Sequence, residues 1–162
     1  MKNVVDLLWR VALRVAYRIL LAGWFLFRPK RHGVFVGVWH NGELLVIRNS
    51  YRDWYALPCG GVQRGETAAH AALRELDEEV GIRAMPDALR FVGDIFTTFE
   101  FKRDRCSFFE TELAAPPNVS VDGREVVWAG FLTPAEALAQ RIAPPVREYL
   151  QRRDAISRSL SH

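Results

Sequence analysis

The sequence predicts an α+β sandwich, a mixed sheet with helices against it, preceded by an amphipathic helix. Three observations support this reading. Apolar runs of strand length bounded by turn residues recur between residues 34 and 131, one strongly helical segment interrupts them, and a long apolar stretch carrying arginines stands ahead of them all. The chain has 162 residues and is 49% hydrophobic, enough for the core of one domain with a terminal extension, and no internal repeat is visible. It divides into an N-terminal helix with a basic linker (residues 1–32), the sandwich domain (33–142) and a basic C-terminal helix and tail (143–162).

Residues 3–27 read NVVDLLWRVALRVAYRILLAGWFLF. Asp6, Arg10, Arg14 and Arg18 recur every four residues and so form one stripe on a helix, with Val5, Leu8, Trp9, Ala12, Ala16, Ile19 and Leu20 on the far side. From Ile19 to Phe27 every face is apolar, but these nine residues make only about 13 Å of helix, short of the ~20 residues a bilayer crossing needs. Asp6 and the arginines also break up the apolar core of a signal peptide. The favoured arrangement is an interfacial anchor, with Trp9, Tyr17 and Trp24 at headgroup depth and the arginines on anionic lipid. The alternatives are packing on the chain's own domain, pairing with a second copy in a homodimer, and a tilted span. Pro29 and Gly33 then end the helix and punctuate a basic linker.

Val34–Trp39 and Leu44–Arg48 read as strands around Asn41-Gly42, the signal of a type I′ hairpin. A polar loop leads to a short strand from Trp54 to Leu57. Beyond the central helix, Arg90–Phe99 and Arg105–Leu113 form a strand pair with Lys102-Arg103-Asp104 at its tip, and Glu125–Phe131 returns as a strand. Thr133-Pro134-Ala135-Glu136 opens a helix with a capping box and proline in the first turn, and a final helix follows Pro144-Pro145.

The central helix carries the chemistry. From Thr67 the segment AAHAALRELDEEV lacks Pro and Gly, and Gly81 stands where a left-handed cap belongs. Glu75, Glu78 and Glu79, at i, i+3 and i+4, share one face. Ala69, Leu73, Leu76 and Val80 are expected on the core side, with Ala68, Ala71 and Ala72 leaving space beside the carboxylates. Three like charges in one turn repel, a cost that a divalent cation removes, and such hard oxygen ligands suit Mg²⁺ or Mn²⁺. A bare Glu-x-x-Glu-Glu is ordinarily a solvated surface. Here, however, five residues separate Gly60 from Glu66, and seven separate Glu66 from Arg74. Seven fixed identities with two aliphatic positions match by chance about once in a billion starting points.

This run, Gly60 to Ile82, is the complete box Gly-x5-Glu-x7-Arg-Glu-U-x-Glu-Glu-x-Gly-U, with U aliphatic. On it the chain resembles the Nudix hydrolases over about residues 33–142. The resemblance implies a metal-dependent pyrophosphohydrolase in which Glu75, Glu78 and Glu79, with the Gly60 carbonyl, hold Mg²⁺ or Mn²⁺ on a diphosphate. Glu79 would be shared between ions, Arg74 would hold a helix carboxylate in place, and Glu66 would orient the loop. The general base is a box glutamate or a later acid, with Glu125 ranked ahead of Asp122. Arg48, Tyr51, Arg52, Trp54 and Phe99 are the candidate substrate contacts, although aromatics beside strands are more often core. Thr98 and Phe99 stand where ADP-ribose and diadenosine-polyphosphate subfamilies carry Pro and Tyr, so no subfamily is assigned. The default substrate is a nucleoside triphosphate or a nucleoside diphosphate linked to another moiety. A diphosphate-linked lipid precursor, or a ligand-binding module without catalysis, is the alternative.

Net charge is +3, with the excess at both ends: Arg10 to Arg31 at the start and Arg147 to Arg158 near the finish. There is no zinc-finger or RNA-binding signature, so specific nucleic-acid binding is not expected. Cys59 and Cys106 show no metal or disulfide spacing, which fits a reducing compartment, the cytoplasm, with attachment to the inner face of a membrane. Cys59 interrupts what is usually Leu-Pro-Gly-Gly-Gly, and a structural role is favoured over a reactive one.

Overall fold

In the computed structural model of the protein, secondary structure is described for residues 2–160 and side chains for residues 4–155. The order is α1 (Lys2–Phe27), β1 (Lys30–His40), β2 (Glu43–Asn49), β3 (Tyr55–Ala56), β4 (Cys59–Gly61), α2 (Ala68–Val80), β5 (Arg90–Thr97), β6 (Arg103–Glu112), β7 (Val126–Leu132), α3 (Pro134–Ala139) and α4 (Pro144–Leu160). This is the expected α+β sandwich. The strands run β3-β2-β1-β6-β5, with β4 added on β1 and β7 on β2. β1 and β6 are parallel from Lys30↔Arg103 to Trp39↔Glu112, and the other pairings between strands are antiparallel. Asn41 and Gly42 both have positive φ, 49° and 78°, as a type I′ turn demands.

β1 is buried on both faces, as a strand between two helical layers must be. On one side Gly37 faces the Tyr149 hydroxyl of α4 and Phe108 of β6 stacks on both Phe35 and Tyr149; Val34, Val36 and Val38 alternate to the other face, towards α2. Tyr149 accepts from Trp39 Nε1 at 3.0 Å and donates to Glu110, and Arg153 reaches the same carboxylate at 3.0 Å. Glu110 thus clamps α4 to the sheet, and Val146, Tyr149 and Leu150 belong to the core. The helix that sequence reasoning set apart from the domain is one of its layers. Its basic composition hid this, because the burial rests on residues one and two turns apart. The Arg158 side chain and the tail after Leu160 lie outside the described residues.

α1 departs most from the favoured expectation. Its polar stripe faces the domain. Arg124 pairs with Asp6 at 2.8 Å, Arg10 donates to the Gly123 carbonyl at 2.9 Å and Arg14 to the Ser50 carbonyl at 2.9 Å. Tyr17, expected near lipid headgroups, is 7% exposed and donates to the buried Glu100. Lys102 sits 4.4 Å above the Trp24 ring. Two of the arginines expected on lipid, Arg10 and Arg14, instead satisfy backbone carbonyls at the turns before β7 and after β2. Among the described residues no helix is long and apolar enough to cross a membrane.

Candidate active site

Local chain geometry brings the carboxylates together. Thr67 caps α2 by accepting from the His70 N–H, and Gly81, at φ 69°, closes it by donating to the Asp77 and Leu76 carbonyls. The buried side of α2 comprises Ala71, Ala72, Leu76 and Val80 together with Glu75 and Glu79. This corrects the expected division of faces. Ala71 and Ala72 are core residues, Leu73 is only half-buried, and two of the three glutamates lie on the inner edge while Glu78 projects outwards.

The loop before α2 closes on the glutamates. A Cβ at Gly60 would lie 2.0 Å from Glu75 Oε1, so only glycine lets the loop approach this carboxylate. Glu79 accepts the Cys59 N–H at 2.8 Å. Cys59 therefore contributes its backbone, and burial together with the Glu79 charge pushes its thiol well above the usual range, which makes it a poor nucleophile. Arg74 gathers the rest. It donates to Glu66 at 3.0 and 3.2 Å, to Glu75 at 2.5 Å, to Glu78 at 3.1 Å and to the Gly61 carbonyl at 3.0 Å, while Glu66 also accepts the Gln63 N–H at 3.0 Å. The guanidinium holds the Glu66 carboxyl below its usual range.

Glu79 is the electrostatic centre. Burial, reinforced by the charges of Glu75 and Glu125, pushes its carboxyl up to about 8, against the opposing pull of the Cys59 N–H. Burial raises Glu75 as well, with Arg74 working against it. Two buried carboxylates resisting ionisation suit a cation, and their hard oxygens suit Mg²⁺ or Mn²⁺. As they stand, no three described acidic, histidine or cysteine side chains converge on one point. The reason is visible: the Arg74 guanidinium bridges Glu75 and Glu78, so gathering a ligand set requires these two to turn from it.

A cleft of about 750 Å³ opens over this group. Glu75, Glu78 and Glu79 line it, together with Gly60, Glu125, Tyr51, Arg52, Trp54 and Phe99. Glu125 accepts from the Tyr51 hydroxyl at 2.8 Å. Asp122 also borders the cleft, but its carboxylate accepts the backbone N–H groups of Arg124, Glu125 and Val126, an occupation that makes it the loop's organiser. Trp54 and Phe99 meet edge to face, 5.1 Å between centroids. Arg48 is not brought to the cleft. It is exposed and borders a neighbouring hollow of about 310 Å³, because residue alternation on β2 turns it away from its neighbour Ile47.

Sequence reasoning missed several residues of the cleft lining. Lys30, Arg31, His32 and Lys102 line the cleft, as do Glu100 and, from α1, Leu20 and Trp24. Glu100 has positive φ, 55°, and is buried with Arg52 at 3.5 Å and Lys102 at 3.2 Å. Nothing in the sequence marks Glu100. It reaches the site through the strained turn before β6.

The protein is thus a diphosphate hydrolase in its fold and in its carboxylate helix. The NUDIX domain family matches residues 29–152, and the chain belongs to the Nudix hydrolases, enzymes acting on diphosphate bonds. An uncharacterized Nudix hydrolase of Pseudomonas aeruginosa is 36% identical over 121 residues, 70% of this chain and 69% of that one. An RNA pyrophosphohydrolase of Baumannia cicadellinicola is 43% identical over 57 residues, 35% of each chain. Among solved structures, a MutT protein of Methanosarcina mazei superposes with a TM-score of 0.70 at 20% identity, covering 81% of this chain and 97% of that one. An Ap4A hydrolase of C. elegans gives 0.67 at 19% identity, covering 80% and 98%. At such identities these two structures speak for the fold. Matching begins at residue 29 and β1 at Lys30, so the basic linker runs into the first strand, while all of α1 stands outside the family match.

Proposed function

We propose that the protein hydrolyses the diphosphate linkage of a nucleoside diphosphate joined to another moiety, or of a nucleoside triphosphate, with Mg²⁺ or Mn²⁺, in the cytoplasm. The observation that carries this is the cleft itself, whose lining brings the three box carboxylates together with Lys30, Arg31, Arg52 and Lys102. Glu75, Glu78, Glu79 and the Gly60 carbonyl would hold the cation, which neutralises the phosphate oxygens and acidifies water when bound. Arg74 positions Glu75 and Glu78. Water attacks one phosphorus, the bond from that phosphorus to the bridging oxygen breaks, and the water proton passes to Glu125 Oε. Tyr51, by donating to Glu125, aims that carboxylate. These cations bind the phosphates, and Trp54 with Phe99 offers an aromatic face to a base.

A second substrate class, a diphosphate carrying a lipid, draws on Leu20 and Trp24, because these put the apolar helix into the cleft wall. Purified protein assayed for phosphate release with either metal against nucleoside triphosphates, nucleotide sugars, dinucleotides and lipid diphosphates separates the two. Turnover on nucleotides is expected, and activity confined to lipid diphosphates would overturn the nucleotide reading. Glu125→Gln should lower kcat by about tenfold to a hundredfold. Turnover unchanged from the parent would exclude Glu125 as the base.

A further inference from the structure

The structure turns the polar stripe of α1 inwards, so its apolar side faces water. Val4, Leu8, Val11, Val15, Ile19 and Leu26 succeed one another at helical spacing and are 48–72% exposed. Leu7 and Phe25 flank them on one side and Val5, Trp9 and Phe27 on the other, all at least 45% exposed. This apolar band follows a helix of 26 residues, about 39 Å long, and is more than a monomer in water ordinarily leaves uncovered.

We infer that this face lies on an anionic lipid surface, with α1 parallel to the bilayer and the catalytic domain standing above it. Two features select lipid over a second copy of the chain. The apolar arc spans more than half of the helix circumference, from Leu7 through Leu8 to Trp9. A helix pair buries a narrow seam flanked by charges that set its register, whereas a plane of lipid accepts a broad arc. The exposed Arg18 borders the apolar face and the exposed Arg28 follows its C-terminal end, and this charge complements anionic headgroups. Of the arginines expected on lipid, Arg10 and Arg14 are engaged by the domain and have no lipid role, whereas Arg18 stays exposed. The docked helix cannot span, since crossing would strip Asp6, Arg10, Arg14 and Tyr17 of their partners. Leu20 and Trp24 belong both to this helix and to the cleft wall, so docking sets the cleft close to the membrane surface.

The inference stands apart from the hydrolytic reading and is tested by binding alone. The full chain is sedimented with vesicles of phosphatidylcholine containing phosphatidylglycerol, or of phosphatidylcholine only, at low and high salt, alongside the double variant Leu8→Glu/Val15→Glu. These two side chains are 64% and 54% exposed, so the variant should melt at the parent's temperature and hydrolyse a soluble substrate at the parent's rate. The parent should pellet with the anionic vesicles and the variant at least tenfold less. Salt should weaken the parent's binding. Equal pelleting of parent and variant would overturn the inference. So would a parent that stays in solution as a dimer by light scattering while the variant is monomeric, a result that assigns the face to a second copy. If the variant instead loses thermal stability, the face is part of the folded core, and that outcome overturns the inference too.

Discussion

Helices α1 and α2 carry the same kind of pattern, a stripe of charges at helical spacing against an apolar side, and the fold uses them in opposite senses. α2 presses Ala72, Leu76 and Val80 into the core and leaves its glutamates at the edge of a cleft. α1 presses Asp6, Arg10, Arg14 and Tyr17 onto the domain and leaves its apolar side outside. The difference lies in what each meets. α2 lies over the valines of β1, which can only receive apolar groups. α1 lies over loop carbonyls at Ser50 and Gly123 and over the buried Glu100, which demand donors. Amphipathicity thus defines two faces of a helix but not which of them turns inwards.

The largest effects should come from the inner edge of α2. Glu79→Gln keeps the shape and removes the charge, so kcat/KM should fall by about a hundredfold or more while far-ultraviolet circular dichroism is retained. Near-parental turnover would mean that the charge of Glu79 is not used. Gly60→Ala comes next. Its methyl would collide with the Glu75 carboxylate, and activity should drop about tenfold to a hundredfold through displacement of that side chain. If Gly60→Ala retains full activity, the close approach of the loop is dispensable.

The pH dependence sharpens the contrast further. Glu79 titrates near 8 when folded against an ordinary value of 4.5, so the folded protein holds its proton through an interval in which the unfolded chain has lost it. Its contribution to stability without metal is therefore fullest below about 4.5 and declines as pH rises towards 8. A cation must displace this proton, so its affinity should climb about tenfold per pH unit up to 8 and then level. Melting temperatures recorded with and without Mn²⁺ from pH 5 to 9 check both slopes, and a metal effect independent of pH would refute the assignment.

On α1 the effects should be smaller and confined to stability. Tyr17→Phe leaves the buried Glu100 short of a donor and should cost about 1–3 kcal/mol, or several degrees of melting temperature. Arg10→Ala, which removes one bond to a half-buried loop carbonyl, should cost about 1 kcal/mol. If Tyr17→Phe melts like the parent, α1 is held by something other than its polar stripe, and the comparison between the helices fails.

Much of this protein was legible in the chain because its signals are local. The Asn41-Gly42 turn, the Thr133–Glu136 capping box, the Gly81 cap and the spacing of Gly60, Glu66, Arg74 and the glutamates each depend on residues a few positions apart, and each was read from the sequence with its position intact. The candidate site was legible in part. Arg74, Glu75, Glu78 and Glu79 share a motif, and Glu125 was proposed for its place before β7. Lys30, Lys102 and Glu100 were not seen, since only the parallel pairing of β1 with β6 and the turn after β5 bring them to the same cleft. The sequence by itself determined the helices, the turns and the carboxylate cluster, because backbone propensity and periodicity act over a turn or two. The tertiary structure alone decided that α4 belongs to the core, that Arg48 leaves the cleft and that α1 docks by its charges. Each of those outcomes depends on which polar or apolar surface a distant segment offers, and periodicity within one element carries no record of its partner.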